Sequence, residues 1–220
     1  MSDPRERVEK LVDAARVAGD EVGWFEPLYA TAKSDADIPW ADGKPNPMFV
    51  EWLDETAPLT GRALVIGCGL GDDAELLAQR GFDVTAFDIS RSAIHRCRER
   101  FPDSPVQYEV ADLLDPPRTY RGRNDLIVEI YTLQTLRGAM RFTAACNIAD
   151  FARPGGLVFA LCRGRDESEP EGTMPMPLTA DDLAVFERRG LTRERFDDFF
   201  DGETPPKRRF RAVYRRPVAM

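Results

Sequence analysis

The chain has 220 residues, 43% hydrophobic and 31% charged, enough for one domain with a real core. Its 38 acidic against 30 basic residues leave a net charge of −8, which repels phosphate backbones and argues against nucleic acid as a partner. No apolar run reaches the roughly 18 residues of a membrane span, and Met1-Ser2-Asp3-Pro4-Arg5-Glu6 lacks the pattern of a secretory signal, so a soluble, cytoplasmic protein with no membrane partner is expected.

Val8, Leu11, Val12 and Ala15 recur at helical spacing and predict an opening helix with one buried face. Trp24, Tyr29 and Trp40 follow in a stretch interrupted by Pro27, Pro39, Pro45 and Pro47. It reads as an irregular segment that covers something, because large aromatics are costly to expose. From Ala63 the pattern alternates, with strands predicted at 63–66, 84–87, 106–110, 126–130 and 157–161. Helices are predicted through Ala74, Leu76 and Leu77, from Ser90 as cap through Ala93, Ile94 and Cys97, and over 142–151, where Arg153-Pro154-Gly155-Gly156 marks a stop. Such alternation predicts a mostly parallel, doubly wound sheet with its ligand at the carboxyl ends of the strands. Residues 163–177 read as a polar loop over that edge, and Thr179 with Asp182 starts a short helix. Apolar segments around Phe196 to Phe200 and Phe210 to Tyr214 predict two antiparallel strands at the sheet edge.

Cys68, Cys97, Cys146 and Cys162 lack the paired spacing of a metal knuckle or redox motif and read as reduced, mostly buried thiols. The single histidine, His95, reads as solvent-facing, so no metal site is expected.

The run Ala63-Leu64-Val65-Ile66-Gly67-Cys68-Gly69-Leu70-Gly71 joins a buried strand to a helix through a turn whose glycines let backbone approach a ligand. Asp88 ends the next strand 21 residues after Gly67, a spacing at which a carboxylate accepts hydrogen bonds from ribose hydroxyls. Together they point to a nucleoside-bearing cofactor. Asp72 and Asp73 at the helix start would repel a diphosphate, disfavouring a dinucleotide, yet would welcome the ammonium of S-adenosylmethionine. The plainer reading of Asp72 is a helix N-cap with Glu75 at the third position. Asp112, before Leu113, follows the third strand where such a site would hold adenine, and its plainer reading is a turn residue.

On these residues the segment from Ala63 to Cys162 resembles the cofactor-binding core of class I S-adenosylmethionine-dependent methyltransferases. The cover ending in Ile38-Pro39-Trp40, the strand end Asp125-Leu126-Ile127-Val128-Glu129-Ile130-Tyr131 and the loop Pro175-Met176-Pro177-Leu178-Thr179 are similar to the thiopurine methyltransferase-like group, which includes thiol and halide methyltransferases. The resemblance implies a Rossmann-like α/β fold: a doubly wound, mostly parallel seven-stranded sheet with an antiparallel edge hairpin and an N-terminal helical and aromatic cover. It implies one domain over 1–220, with helix and cover at 1–58, cofactor core at 59–162, and substrate loop and last strands at 163–220. S-adenosylmethionine would then contact Trp24, Tyr29, Trp40, Gly67, Cys68, Gly69, Gly71, Asp72, Asp88, Ile89, Asp112, Leu113 and Glu129, the aromatics facing its sulfonium.

The reaction implied is in-line methyl transfer to a small-molecule acceptor, a thiol or other soft nucleophile. O- or N-methylation of a small aromatic metabolite is the alternative. An NAD-dependent oxidoreductase and a non-catalytic binding module are the readings from other classes. Where thiopurine enzymes carry an arginine near the fourth strand end, this chain has Glu129-Ile130-Tyr131, so substrate identity does not carry over. Tyr131 is expected to line the acceptor pocket and Glu129 to orient or deprotonate the acceptor, with cofactor binding or helix capping as the other reading of Glu129. Arg163 and Arg165 could steer an anionic acceptor but read more simply as solvated loop charges. Oligomeric state is not legible.

Overall fold

A computed structural model of the protein describes residues 4–218. Helices α1 (Pro4–Val17), α2 (Phe25–Thr31) and α3 (Pro47–Glu55) precede strand β1 (Arg62–Ile66). Helix α4 (Asp72–Gln79), strand β2 (Asp83–Asp88), helix α5 (Arg91–Arg100) and strand β3 (Gln107–Val110) follow. Strand β4 (Asn124–Ile130), helix α6 (Gly138–Phe151) and strand β5 (Ala152–Arg163) come next, and then the short α7 (Ala180–Leu183) and α8 (Val185–Arg188), with β6 (Thr192–Phe200) and β7 (Arg208–Arg215) last. The sheet has seven strands in the order β3-β2-β1-β4-β5-β7-β6, the expected doubly wound arrangement with an antiparallel edge. Its order reverses between β1 and β4, where open α/β sheets bind ligands outside the carboxyl ends.

Two compact units interleave in sequence, Met1–Thr60 with Gly67–Asp112, and Gly61–Ile66 with Leu113–Met220. In the first, α1 buries Val8 and Val12 as its periodicity requires. The stretch expected to be irregular contains α2, a 3-10 turn at Asp35–Asp37 and, further on, α3. Two of its prolines do not break helices: Pro27 lies in the first turn of α2 and Pro47 at the first position of α3, where a missing N–H costs no helical bond. Asn46 caps α3 by accepting from Met48 N at 3.0 Å. Strands β2 and β3 pair in parallel, and Ser90 caps α5 by accepting from Ala93 N at 3.1 Å.

In the second unit β4 pairs in parallel with β1 and β5, and β7 pairs antiparallel with β5 and β6. The predicted stop at Arg153-Pro154-Gly155-Gly156 lies inside β5, because Gly155 N donates to Arg216 O at 2.8 Å and Arg216 N to Gly156 O at 2.9 Å. Gly156 is needed there, since a Cβ would sit 2.5 Å from Asn124 O. Thr179 and Asp182 form the predicted capping box. Among the described residues, no helix is long and apolar enough to cross a membrane, and no group of three or more His, Cys, Asp or Glu side chains could hold a metal ion.

Candidate functional site

In the first unit the glycine turn runs through positive φ at Gly67 (56°), Gly69 (54°) and Gly71 (90°). Two bonds tie it to the end of β2: Cys68 N donates to Phe87 O at 2.9 Å and Gly69 N to Asp88 Oδ2 at 3.0 Å. Asp88 Oδ1 accepts from Ser90 N at 2.9 Å, and Ile89 N also reaches this carboxylate. Asp88 thus locks the turn to the start of α5 while a carboxylate's remaining lone pairs stay available for hydroxyls. Beneath the turn, Cys97 Sγ donates to Gly69 O at 3.2 Å, and the bond to Cys97 together with burial holds the Cys68 thiol far above its usual range.

Tyr29 and Trp40 roof this turn. A Cβ on Gly69 would meet Tyr29 Oη at 3.1 Å and Trp40 Nε1 at 3.9 Å, and Trp40 Nε1 donates to that hydroxyl at 2.9 Å. Trp24 packs edge-on to Trp40 with centroids 6.1 Å apart, and its buried indole N–H has no partner among the described residues. The roof is latched to α5, since Glu26 accepts from Ser90 Oγ (2.8 Å) and Ser92 Oγ (2.7 Å), while Arg96 donates to Tyr29 O (3.2 Å) and Ala32 O. A glycine cradle, a buried carboxylate, aromatic faces and an unpartnered indole donor fit S-adenosylmethionine's mixed demands.

Asp72 does not serve as expected. It is the first helical residue of α4, its cap is Gly71, and both its oxygens accept from Arg100, at 2.9 and 3.1 Å. Glu75, expected to complete the cap, accepts from Ser104 Oγ and Tyr108 Oη instead, each at 2.6 Å. Asp73 accepts from Asn46 N at 2.7 Å. With Asp72 neutralised, the argument from repulsion of a diphosphate loses most of its force. Asp112 and Ile89 are half-buried after β3 and β2. His95 is exposed, 3.3 Å from Glu99, and the four cysteines are free.

In the second unit Leu113 is buried and its carbonyl accepts from Asn147 Nδ2 at 2.9 Å. Glu129 lies one residue from the end of β4, opposite Ile66 of β1. It is 0% exposed. Its Oε1 accepts from Thr132 N (2.8 Å) and Leu133 N (2.9 Å), capping the 3-10 turn Leu133–Thr135, whereas the buried Oε2 has no partner among the described residues. Burial pushes its pKa up to about 7, against the pull of those two N–H groups. Tyr131 is half-buried with φ of 65°, a conformation costing about 1–3 kcal/mol in a non-glycine residue. Arg165 is spent on loop carbonyls, those of Asp166, Glu169 and Pro177, which removes it from the candidates for steering an anion.

Gln134 and Arg209 escape a reading of motifs. Gln134 is buried and docks the 163–177 loop, its Oε1 accepting from Arg163 N and its carbonyl from Met176 N, both at 2.8 Å. The Arg209 guanidinium carbon lies over the Tyr131 ring, 4.9 Å from its centroid. Neither contact has a local sequence signal, because Gln134 meets Arg163 and Met176, and Arg209 meets Tyr131, across long stretches of chain.

Burial also raises Asp88 from its ordinary 3.8 to about 6. Burial raises Asp73 to about 6 as well, and all three carboxyls bind a proton more tightly in the folded protein than in the unfolded chain, so ionising them costs stability. Between about pH 4 and 7 stability is therefore expected to fall as pH rises. Below that window the sign reverses at Asp198, whose bond from Arg208 lowers its pKa and whose contribution is lost in acid. Urea unfolding of the ligand-free protein at pH 5 and pH 8 checks this, and equal or greater stability at pH 8 refutes it.

Residues 63–156 match the family model of a methyltransferase domain. Fold and match together make this stretch similar to a methyltransferase domain. Ubiquinone biosynthesis O-methyltransferase of Aromatoleum aromaticum is 30% identical over 161 residues, 72% of this chain and 62% of that protein. Thiocyanate methyltransferase 1 of Brassica oleracea is 28% identical over 160 residues, 72% of this chain and 67% of that protein. The N-methyltransferase NodS of Bradyrhizobium japonicum WM9, solved with S-adenosyl-L-homocysteine, has the same fold, with a TM-score of 0.64 at 22% identity over 87% of this chain and 96% of that one. The chain spans 50–62% of the length of the ubiquinone relatives it matches.

Proposed function

We propose that the protein transfers the methyl group of S-adenosylmethionine to a small-molecule acceptor, a thiol or other soft nucleophile. The observation that carries this reading is the aromatic roof of Tyr29 and Trp40 on the Asp88-locked glycine turn. S-adenosylmethionine supplies a methyl carbon activated by a sulfonium, and π faces stabilise such a cation by about 0.5–2 kcal/mol per contact. Gly67, Cys68, Gly69 and Gly71 would cradle its amino-acid end. Asp88 would accept from the ribose hydroxyls, with Ile89 beside it, and Asp112 and Leu113 would hold adenine. Trp24 would offer its unpartnered N–H to the cofactor's carboxylate. Asp72, held by Arg100, is left out of the set.

Glu129 Oε2 supports a protic acceptor. It is buried and unpartnered at the carboxyl end of β4, next to the reversal in strand order. A thiol proton would pass to this oxygen as the sulfur lone pair forms the new bond to the methyl carbon, while the bond from that carbon to the sulfonium breaks and leaves its electron pair on the cofactor's sulfur. Tyr131, one turn of chain further, would line the acceptor site. O-methylation of a small aromatic molecule is the second reading, favoured by the likeness to the ubiquinone biosynthesis enzymes.

Calorimetry with S-adenosylmethionine, its demethylated product and NAD tests the cofactor, with heat expected from the first two alone. No heat from either would overturn the reading. For the base, turnover of 2-mercaptoethanol, a thiol still protonated at pH 7, is expected to rise with pH through about 7, following Glu129, and to be lower and without that step in Glu129→Gln. Unchanged turnover across pH in that variant would sink the assignment.

A further inference from the structure

Tyr131 is the only non-glycine residue with left-handed φ among the described residues. Its backbone and its ring are both held. Its N–H donates to Leu161 O at 2.9 Å, and the Arg209 guanidinium lies 4.9 Å from its ring centroid. Arg209, on β7, is 4% exposed, and its Nε and Nη2 donate to Asp201 Oδ2 and Glu203 Oε1, each at 2.6 Å. Asp201 also accepts from Glu203 N at 3.0 Å and Lys207 N at 2.9 Å, so the turn between β6 and β7 forms a bracket around the guanidinium edge. With its charge answered at the edge, the guanidinium has its flat face left for a ring, which an ammonium does not possess.

Arg211, two residues on, shows what a hairpin staple looks like. It donates to Asp197 at 2.8 Å and lies over Phe199 at 5.6 Å, both on β6 of the same hairpin. Arg209 instead reaches out of the hairpin to the end of β4. We propose that Arg209 is a positioning residue for methyl transfer, holding the Tyr131 ring in the orientation that shapes the acceptor site. This rests on the assignment of Tyr131 to that site under the proposed function.

The test uses the full chain labelled with 3-fluorotyrosine, the Tyr131 fluorine resonance being assigned with Tyr131→Phe. In Arg209→Met that resonance is expected to move towards its position in the unfolded protein. The KM for 4-nitrobenzenethiol should rise about tenfold, with kcat and the calorimetric affinity for S-adenosylmethionine within about twofold. Arg209→Lys keeps the charge without the flat face and should recover only part of the loss. An unmoved resonance, or a kcat loss at constant KM, overturns the proposal. Should Arg209→Met fail to fold, Asp201→Asn loosens one side of the bracket and should move the resonance the same way by less, and no movement there overturns it as well. A wild-type protein that methylates no thiol refutes the proposed acceptor instead, and the resonance alone then decides whether Arg209 holds Tyr131.

Discussion

Asp88→Ala is expected to raise the dissociation constant for S-adenosylmethionine by about a hundredfold, close to 2.8 kcal/mol. Ribose hydroxyls donating to a buried carboxylate form charge-assisted bonds worth about 1.5–3 kcal/mol each. The same carboxylate accepts from Gly69, Ile89 and Ser90, so its removal also frees the cradle and orphans buried N–H groups, at about 1–3 kcal/mol each. Relief of the buried charge offsets part of that, and a net loss of about 2–3 kcal/mol in unfolding free energy is expected. Asp88→Asn keeps the shape but cannot accept at every point of the carboxylate, so it should bind nearly as poorly as alanine. Calorimetry and urea unfolding read the two effects separately. A change in affinity below about fivefold would show that Asp88 is a structural lock and nothing more.

Gly71→Ala is expected to cost about 3–4 kcal/mol of stability, against about 1–2 kcal/mol for Gly81→Ala. The two glycines share φ of 90°, so the backbone strain is common to both. Only their surroundings differ. A Cβ at position 71 would lie 2.5 Å from Tyr108 Oη and 3.2 Å from Cys97 Sγ, whereas at position 81 nothing lies within 4 Å. Tyr108 has little room to yield, because its hydroxyl donates to Glu75 at 2.6 Å. For a chain of this size 1 kcal/mol corresponds to about 2–4 °C, so the two melting temperatures should differ by about 4–8 °C. Equal values would assign the whole cost to the backbone and refute the crowding.

The glycine at position 71 also shows how a correct motif can rest on a different cause. Its glycine was expected to make room for a ligand, yet the space is filled by Tyr108 and Cys97 of the protein itself. The space beside Gly69 is likewise taken by the protein, by Tyr29 Oη at 3.1 Å and Trp40 Nε1 at 3.9 Å.

Locally encoded features were legible in the amino-acid sequence. The alternation of strands and helices from Ala63, the Ser90 cap and the Thr179–Asp182 capping box depend on neighbours a few residues apart, and each formed as expected. The misread cases were those where distant groups decide. Pro47 signalled a break but begins a helix, and although α6 stops at Phe151 as expected, β5 starts at Ala152 rather than Leu157 because Arg216 completes it. Asp72 reads in the sequence as an ammonium contact or a helix cap, but the cap is Gly71 and α5 delivers Arg100 to the carboxylate. Glu129 was visible as an acid at a strand end, but its unpartnered oxygen and raised pKa come from burial, which spacing does not encode.

By itself the sequence determined the strand and helix order, the glycine turn and the acid that follows it, because periodicity, capping and turn chemistry act over a few residues. Only the tertiary structure decided which charges are spent on one another, which aromatics roof the turn, and that Arg209 faces Tyr131. Those are pairings between residues up to 78 positions apart, and a side chain's partner at that range depends on how whole elements pack.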